Sequence, residues 1–247
     1  MKDKLLCYEE NCHYLYCISC IRTKQLWNSQ GLRLPILLIC RDNTSRLMNL
    51  APLLPYLPSA EVLPLLDKWL KDEAFDLAVH KPRATKLGDF RPPRKGARAK
   101  ITLNSNLGKY QFLTTLVHEI AHLKVWNAYG RKAAPHGVEW KTMFGQMLLE
   151  IAEQCNFPKE YRSAILNHAA KPKSAVGGDP QLQKVVLQLD SDQDILLLGD
   201  LKPGAVFTFK GRRFKKVEKR RTRALVEELG SKKQYTIPLV AQVDAAE

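Results

Sequence analysis

The chain has 247 residues, of which 45% are hydrophobic and 26% charged, a composition that fits a globular protein and excludes collagen-like, coiled-coil and largely disordered chains. Its 39 Lys and Arg outnumber its 25 Asp and Glu, and the net charge of +14 favours a polyanionic partner, above all nucleic acid. No apolar run is long enough for a membrane helix, and Glu9 and Glu10 interrupt any secretory signal. We therefore expect a cytoplasmic protein, with nucleoid association as an option, and no membrane partner.

Four of the six cysteines lie near the N-terminus, at Cys7, Cys12, Cys17 and Cys20, together with His13. Only Cys17 and Cys20 have the two-residue gap typical of zinc sites, so a zinc knuckle is the weaker interpretation. Met48 lies just before the domain-like sequence begins. We interpret residues 1–47 as an N-terminal extension, for which a misassigned start codon is one explanation.

Residues 48–170 have the pattern of one α+β domain. An entry helix is predicted through Leu63, Leu66 and Leu70, followed by three short strands at 77–81, 85–91 and 100–104 that form an antiparallel sheet. Apolar residues then recur at helical spacing over 112–125, with Gly130 as the stop signal, and two more helices are predicted over about 137–151 and 159–169.

The remaining chain changes character. Residues 171–183 are predicted to be a linker, and residues 184–247 a small basic β domain. Its strands are predicted at 185–189, 195–198, 206–209, 213–217, 224–229 and 235–239. The expected fold class is therefore α+β followed by an all-β appendage.

The central helix contains the sequence His118-Glu119-Ile120-Ala121-His122. Residues four apart on a helix lie about 40° apart and about 6 Å along the axis, so both imidazoles can reach one metal ion. Glu119 lies about 100° from His118 around the same helix, where its carboxylate can take a proton from an activated water without binding the metal. This spacing predicts half of a catalytic zinc site.

A catalytic zinc ion usually has three protein ligands. His136 is the best candidate for the third, because the loop after Gly130 can return it to the start of the next helix. Glu139 and Glu150 are the alternatives. The metzincin pattern is excluded, since Val125 and Ala128 occupy the positions of its Gly and His.

The pair His118-Glu119-Ile120-Ala121-His122 and His136-Gly137-Val138-Glu139-Trp140 resembles the SprT-like (Spartan-type) zinc metalloprotease family over roughly residues 55–169. The resemblance implies a zincin-like fold, one zinc ion per chain held by His118, His122 and His136, and Glu119 as general base. It also implies a peptidase acting near DNA, with DNA repair and stress response as its setting. Many bacterial relatives carry a zinc ribbon after the catalytic part, whereas no cysteine follows Cys155 here.

Two stretches contain most of the excess positive charge. Residues 81–109 precede the metal motifs, and residues 210–223 follow them. Residues 81–109 contain a single acid, Asp89. The candidate nucleic-acid contacts are Arg83, Lys86, Arg91, Arg94, Lys95, Arg98, Arg212, Arg213, Lys216, Arg220 and Arg221. Phe90 and Tyr110 could stack on bases, although core packing is the simpler expectation for both. His80 and His168 are interpreted as structural histidines.

These observations predict a zinc-dependent metallopeptidase that acts on proteins at or near DNA, DNA–protein crosslinks included. The expected partners are a protein substrate and nucleic acid, with single-stranded DNA as one form of it. The alternative is a non-catalytic, zinc-stabilised nucleic-acid-binding protein with a role in transcription or the stress response. Glu119 distinguishes them, because a structural zinc site has no use for a carboxylate beside its ligand.

Overall fold

The computed structural model describes residues 49–83, 86–174, 178–191 and 195–245, together with the backbone of three short strands earlier in the chain. The cysteine cluster, His13 and most of the N-terminal extension lie outside the described residues. The helices are α1 (Leu63–Leu70), α2 (Lys109–Tyr129), α3 (Val138–Gln154), α4 (Lys159–Ala170) and α5 (Pro180–Leu189). The strands are β1 (Lys24–Trp27), β2 (Arg33–Ile36), β3 (Leu38–Ile39), β4 (Phe75–His80), β5 (Gly88–Arg91), β6 (Ala99–Asn104), β7 (Val206–Phe209), β8 (Arg212–Lys219), β9 (Arg223–Glu228), β10 (Gln234–Pro238) and β11 (Asp244–Ala245).

The first domain contains a mixed sheet of four strands in the order β3-β4-β6-β5. The three predicted strands correspond to β4, β5 and β6, but the prediction of an antiparallel sheet was wrong for one pair. β4 and β6 are parallel, while β5 and β6 are antiparallel. The chain passes from β4 to the far edge of the sheet, and β6 then returns between the two. Strand direction was therefore decided by this crossover, which the local residue pattern does not encode.

Helix α2 lies at the centre of the first domain and is buried on nearly all sides from Phe112 to Val125. It contacts β5 and β6 on one side and α3 and α5 on others. The prediction of this helix from its apolar spacing is confirmed, including its end at Gly130, where φ is 59°. Because this central stretch of the helix is buried, the polar side chains of Thr114, His118 and Glu119 are buried with it.

The N-terminus of α2 has no local cap, since its first flanking residue is Gly108. Asp190 replaces that cap from the end of α5: its two carboxylate oxygens accept hydrogen bonds of 2.8 Å from the backbone N–H groups of Tyr110 and Gln111. A side chain at position 108 would overlap Asp190, because an ideal Cβ there lies 2.2 Å from its carboxyl carbon. Burial raises the pKa of Asp190, and the two N–H groups oppose that shift because their hydrogen bonds stabilise the ionised carboxylate.

Helix α5 differs from the sequence prediction, which placed a linker to 183 and a strand at 185–189. The helix begins after Asp179, whose carboxylate accepts hydrogen bonds from the N–H groups of Gln181 and Leu182. Leu182 and Val186 are fully buried in the core of the first domain. Tertiary packing of this apolar face favours a helix where alternation had suggested a strand.

The C-terminal part is an all-β sheet of five strands in the order β10-β9-β8-β7-β11, as the sequence predicted in outline. Its small core contains Phe207, Phe214, Val226 and Ile237. Residues 195–198, a predicted strand, contribute only an isolated bridge from Leu197 to Gln242 among the described residues. No helix in the described parts of the chain is long and apolar enough to cross a membrane.

Replacing Asp190 with Ala tests the distant cap. We expect the free energy of unfolding to fall by about 1 kcal/mol, because two N–H groups at the start of α2 lose their acceptor. Denaturant unfolding followed by circular dichroism measures the change. Asp72→Ala is the matched control: Asp72 is exposed, and its loss should change the free energy by less than about 0.5 kcal/mol. Equal effects of the two substitutions would contradict the cap.

Candidate metal centre

Three histidine side chains from two elements converge on one point. His118 and His122 lie one turn apart on α2, and His136 lies directly before α3. The distances between their Nε2 atoms are 3.3 Å for His118–His122, 3.0 Å for His122–His136 and 3.2 Å for His118–His136. These three residues form the one group of potential ligands with metal-site geometry found among the described residues.

The arrangement fits a metal ion better than it fits hydrogen bonding among the rings. A tetrahedral zinc ion with Zn–N bonds of about 2.0–2.1 Å would separate its ligand nitrogens by about 3.3–3.4 Å, close to the spacing observed here. Three mutually close ring nitrogens cannot all be satisfied by one another, because each neutral ring offers one donor and one acceptor. The set could therefore hold a metal ion.

Burial keeps the three imidazoles neutral, which is the state in which a ring nitrogen can bind a metal. Burial, and then the neighbouring His122, lowers the pKa of His118 to about 3. Burial and His136 lower the pKa of His122 to about 4, and burial also lowers the pKa of His136. The Nδ1 atom of His118 is buried and has no hydrogen-bond partner among the described residues, so the usual second support of a ligand ring is missing there.

The backbone at His136 has φ of 58°, the left-handed region that residues other than glycine seldom adopt. A tight turn holds it: the Gly137 N–H donates a 2.9 Å hydrogen bond to the Ala134 carbonyl. Glycine is required after His136, since an ideal Cβ at position 137 would lie 2.9 Å from that same oxygen. Unusual backbone of this kind occurs preferentially at functional sites, where surrounding structure maintains it.

Trp140 supports all three histidines, a role that the sequence analysis missed. Its buried indole lies with ring centroids 4.6 Å from His118, 5.2 Å from His122 and 4.6 Å from His136. The available signal was its position four residues after His136, which places it on the first turn of α3, next to the turn that holds His136. Phe90 stacks on His122 from the other side at 6.1 Å, so it packs against the site instead of standing free for a base.

Glu119 is not part of the histidine cluster, and its carboxylate lies against β5 while lining the same cavity. It is 7% exposed, and burial followed by the charge of Asp89 raises the pKa of its carboxyl group to about 8. A backbone hydrogen bond from Phe90 opposes that shift. Gly88 lies against the carboxylate, because an ideal Cβ there would be 2.7 Å from Glu119 Oε1. The edge strand thus positions this side chain through its backbone.

A cavity of about 690 Å³ lies over the site. Glu119 and all three histidines line it, together with apolar side chains that include Leu87, Val125 and Trp126. Glu139 and Glu150, the alternative third ligands, do not belong to the ligand cluster. Glu150 instead accepts hydrogen bonds of 2.9 Å from Lys68 Nζ and Trp69 Nε1.

The basic residues near the metal centre that were predicted to contact nucleic acid differ in their partners and exposure. Lys86 and Arg91 both contact the carboxylate of Asp89, at 2.6 and 2.8 Å. Arg83 donates to Asn104 Oδ1 and Thr102 Oγ1 and so supports the sheet. The candidates that lie exposed in the connection between β5 and β6 are Arg94, Lys95 and Arg98.

The C-terminal candidates also differ from one another. Lys216 is 1% exposed, and its ammonium group donates to the carbonyl oxygens of Leu198 at 2.8 Å and Leu201 at 2.6 Å. Its prediction as a nucleic-acid contact was therefore wrong, because its strand position points it into the small core. Arg212 contacts Glu228 at 2.5 Å and Arg220 contacts Glu218 at 2.8 Å, whereas the candidates left exposed without an ion pair among the described residues are Arg213 and Arg221.

Three further residues singled out in the sequence, His168, Tyr110 and His80, lie outside the histidine cluster. His168 is buried, and its Nδ1 lies 2.8 Å from Asp179 Oδ2. Tyr110 packs edge-on against Phe157 and Tyr161, with centroids 6.0 and 4.8 Å away. His80 is half-buried at the end of β4.

Residues 67–158, which include the three clustered histidines, Glu119 and Trp140, match the SprT-like family. Proteins named SprT from Salmonella arizonae, Salmonella newport and Salmonella heidelberg are each 61% identical to the chain over 31 residues. That stretch is 13% of this chain and 18% of each relative, so the chain spans less than a fifth of the length of these curated relatives. No solved structure matches the chain. The candidate metal centre therefore lies within the segment of the chain that is similar to the SprT-like family.

Proposed function

We propose that the chain is a zinc-dependent metallopeptidase with a zincin-like catalytic domain that acts on proteins at or near DNA, DNA–protein crosslinks included. The observation that carries the proposal is the convergence of three neutral imidazoles beside a separate buried carboxylate, all lining one cavity. The SprT-like match over residues 67–158 supports the same activity.

The residues divide the chemistry by position. His118, His122 and His136 would hold one zinc ion per chain, which when bound supplies Lewis-acid activation of water and of a carbonyl group. Glu119 would accept the proton of the attacking water and pass it to the leaving amine. A divalent cation nearby favours the ionised carboxylate and so opposes the raised pKa that burial alone produces.

The remaining cavity lining would orient the substrate. Apolar walls from Leu87, Val125 and Trp126 exclude water from the reacting bond, and they leave room for a peptide segment. Trp140 and Phe90 fix the ligand rings from both sides. A zinc ion that only stabilised the fold would need neither an accessible cavity nor Glu119.

The proposal that nucleic acid is a partner rests on exposed positive charge near the cavity. Arg94, Lys95 and Arg98 are exposed close to Pro92, which itself lines the cavity, so a polyanion bound to them would lie beside the reaction site. Such a position would favour substrates that are themselves held on DNA. The non-catalytic alternative keeps these cations and the metal but assigns no role to Glu119.

Glu119→Gln tests the base. We expect cleavage of a DNA-bound protein to fall at least about 100-fold, because the amide cannot accept the proton, while zinc remains bound at one per chain. Gel assays with zinc and DNA, together with metal analysis, measure both quantities. Glu153→Gln, an exposed glutamate on α3, is the control and should retain full activity. If the unaltered protein binds zinc and DNA but cleaves nothing, the non-catalytic alternative is correct.

His136→Ala tests the third ligand. Two ligands on one helix bind zinc much more weakly than three, so zinc binding should weaken by at least about 100-fold in a chelator competition. His80→Ala removes a histidine outside the cluster and should leave zinc affinity unchanged. Unaltered zinc content in the His136 variant would show that the three rings do not act together.

Gly88→Ala tests the contact between β5 and the carboxylate. The new methyl group would displace Glu119, and cleavage should fall at least about tenfold, because small displacements of a catalytic group are costly. Zinc content should not change, since the ligands are untouched. Gly230→Ala, where a Cβ meets nothing within 4 Å, is the control. Full activity of the Gly88 variant would show that the close contact does not position Glu119.

A further inference from the structure

The C-terminal sheet covers its core with one face only. Phe207 and Phe214 lie opposite each other on β7 and β8 and pack into that core. Because side chains alternate along a strand, the residues next to Phe207 on β7 and next to Phe214 on β8 belong to the other face of the sheet. On that face Thr208 lies opposite Arg213, and Val206 lies opposite Lys215.

The segment that forms this sheet carries an excess of positive charge. Residues 195–245 contain twelve Lys and Arg and five Asp and Glu. The acids on the face are already in ion pairs: Glu218 with Arg220 at 2.8 Å and Glu227 with Lys232 at 3.7 Å.

Two cations at the centre of the face remain available. Arg213 and Lys215 are exposed, have no ion pair among the described residues, and lie two positions apart on β8, about 7 Å along the strand. Lys215 lies opposite Glu227 on β9, but the carboxylate of Glu227 pairs with Lys232 at 3.7 Å. Arg223 on β9 extends the same surface and donates to the Thr236 carbonyl at 2.7 Å and the Thr236 hydroxyl at 3.3 Å.

Among the described residues, this face presents no exposed aromatic ring on which an unpaired base could stack. Phe207 and Phe214 are buried, and the half-buried Phe209 and Tyr235 lie next to the cations of Lys210 and Arg212. Binding of single strands without sequence preference usually depends on exposed aromatic rings. Cations and threonine hydroxyls without such rings instead match the oxygens of a sugar-phosphate backbone.

We propose that this open sheet face, centred on Arg213 and Lys215, binds the sugar-phosphate backbone of duplex DNA without reading its sequence. The inference rests on the nucleic-acid part of the proposed function and identifies the surface responsible. It does not depend on proteolysis, so binding and cleavage can be measured separately. The two cations on the first basic stretch nearest to the cavity, Lys86 and Arg91, share one carboxylate and offer less free charge.

The test compares three double variants of the full chain, each of which loses one Arg and one Lys. Arg213→Gln with Lys215→Gln alters the sheet face, and Arg94→Gln with Lys95→Gln alters the connection near the metal centre. Lys159→Gln with Arg162→Gln alters an exposed surface of α4 and controls for net charge. Fluorescence anisotropy measures binding to a duplex of about 24 base pairs and to a single strand of the same length, over a range of salt concentrations.

We expect the sheet variant to bind the duplex about tenfold more weakly at 0.15 M salt, and its salt dependence to decrease by about two ions. The α4 variant should bind within about twofold of the unaltered protein, and the unaltered protein should bind duplex at least as well as single strand. Circular dichroism verifies that the sheet variant is folded.

Three results would overturn the inference. Equal losses in the sheet and α4 variants would show that net charge alone drives binding. A loss of DNA affinity confined to the variant at Arg94 and Lys95 would show that nucleic acid binds to the first domain and not to the sheet face. A clear preference for single strands would show that bases, and not the duplex backbone, are bound.

Discussion

Burial of a polar helix is the constraint on which the rest of this structure depends. Helix α2 carries His118, Glu119 and His122 through the centre of the first domain, where burial disfavours the charged form of each side chain. The same burial lowers the pKa values of the histidines and raises that of the glutamate, so one cause produces neutral ligands and a carboxyl group with altered acidity. A divalent cation would offset both costs, because neutral imidazoles could bind it and an ionised carboxylate would be stabilised beside it.

The position of that helix depends on contacts from distant parts of the chain. Asp190 supplies the acceptors for its first N–H groups, and Gly88 allows the edge strand to approach Glu119. The cap lies outside residues 67–158, which match the SprT-like family. The site residues therefore belong to the matched segment, while part of the support for their helix comes from beyond it.

Charge in this protein has to be judged by position and not by total. Asp89 holds Lys86 and Arg91 beside the cavity, and burial removes Lys216 from the surface altogether. Among the described residues, Arg94 and Lys95 in the connection between β5 and β6 and Arg213 on the open face of the C-terminal sheet are exposed without an ion pair, whereas Arg98 lies 4.0 Å from Asp76. A net charge of +14 indicates a polyanion, but only this local balance indicates where one would bind.

The sequence by itself determined the features that depend on local periodicity. The spacing of His118 and His122, the course of α2 to Gly130 and most strands of the C-terminal sheet follow from residues that are neighbours in the chain. Tertiary structure decided the rest: the parallel pairing of β4 with β6, the helical state of 180–189, the choice of His136 over two glutamates as a neighbour of the other histidines, and the burial of Lys216. The reason is physical. Strand direction, burial and the convergence of side chains depend on contacts between segments far apart in sequence, and local patterns carry no information about which segments meet.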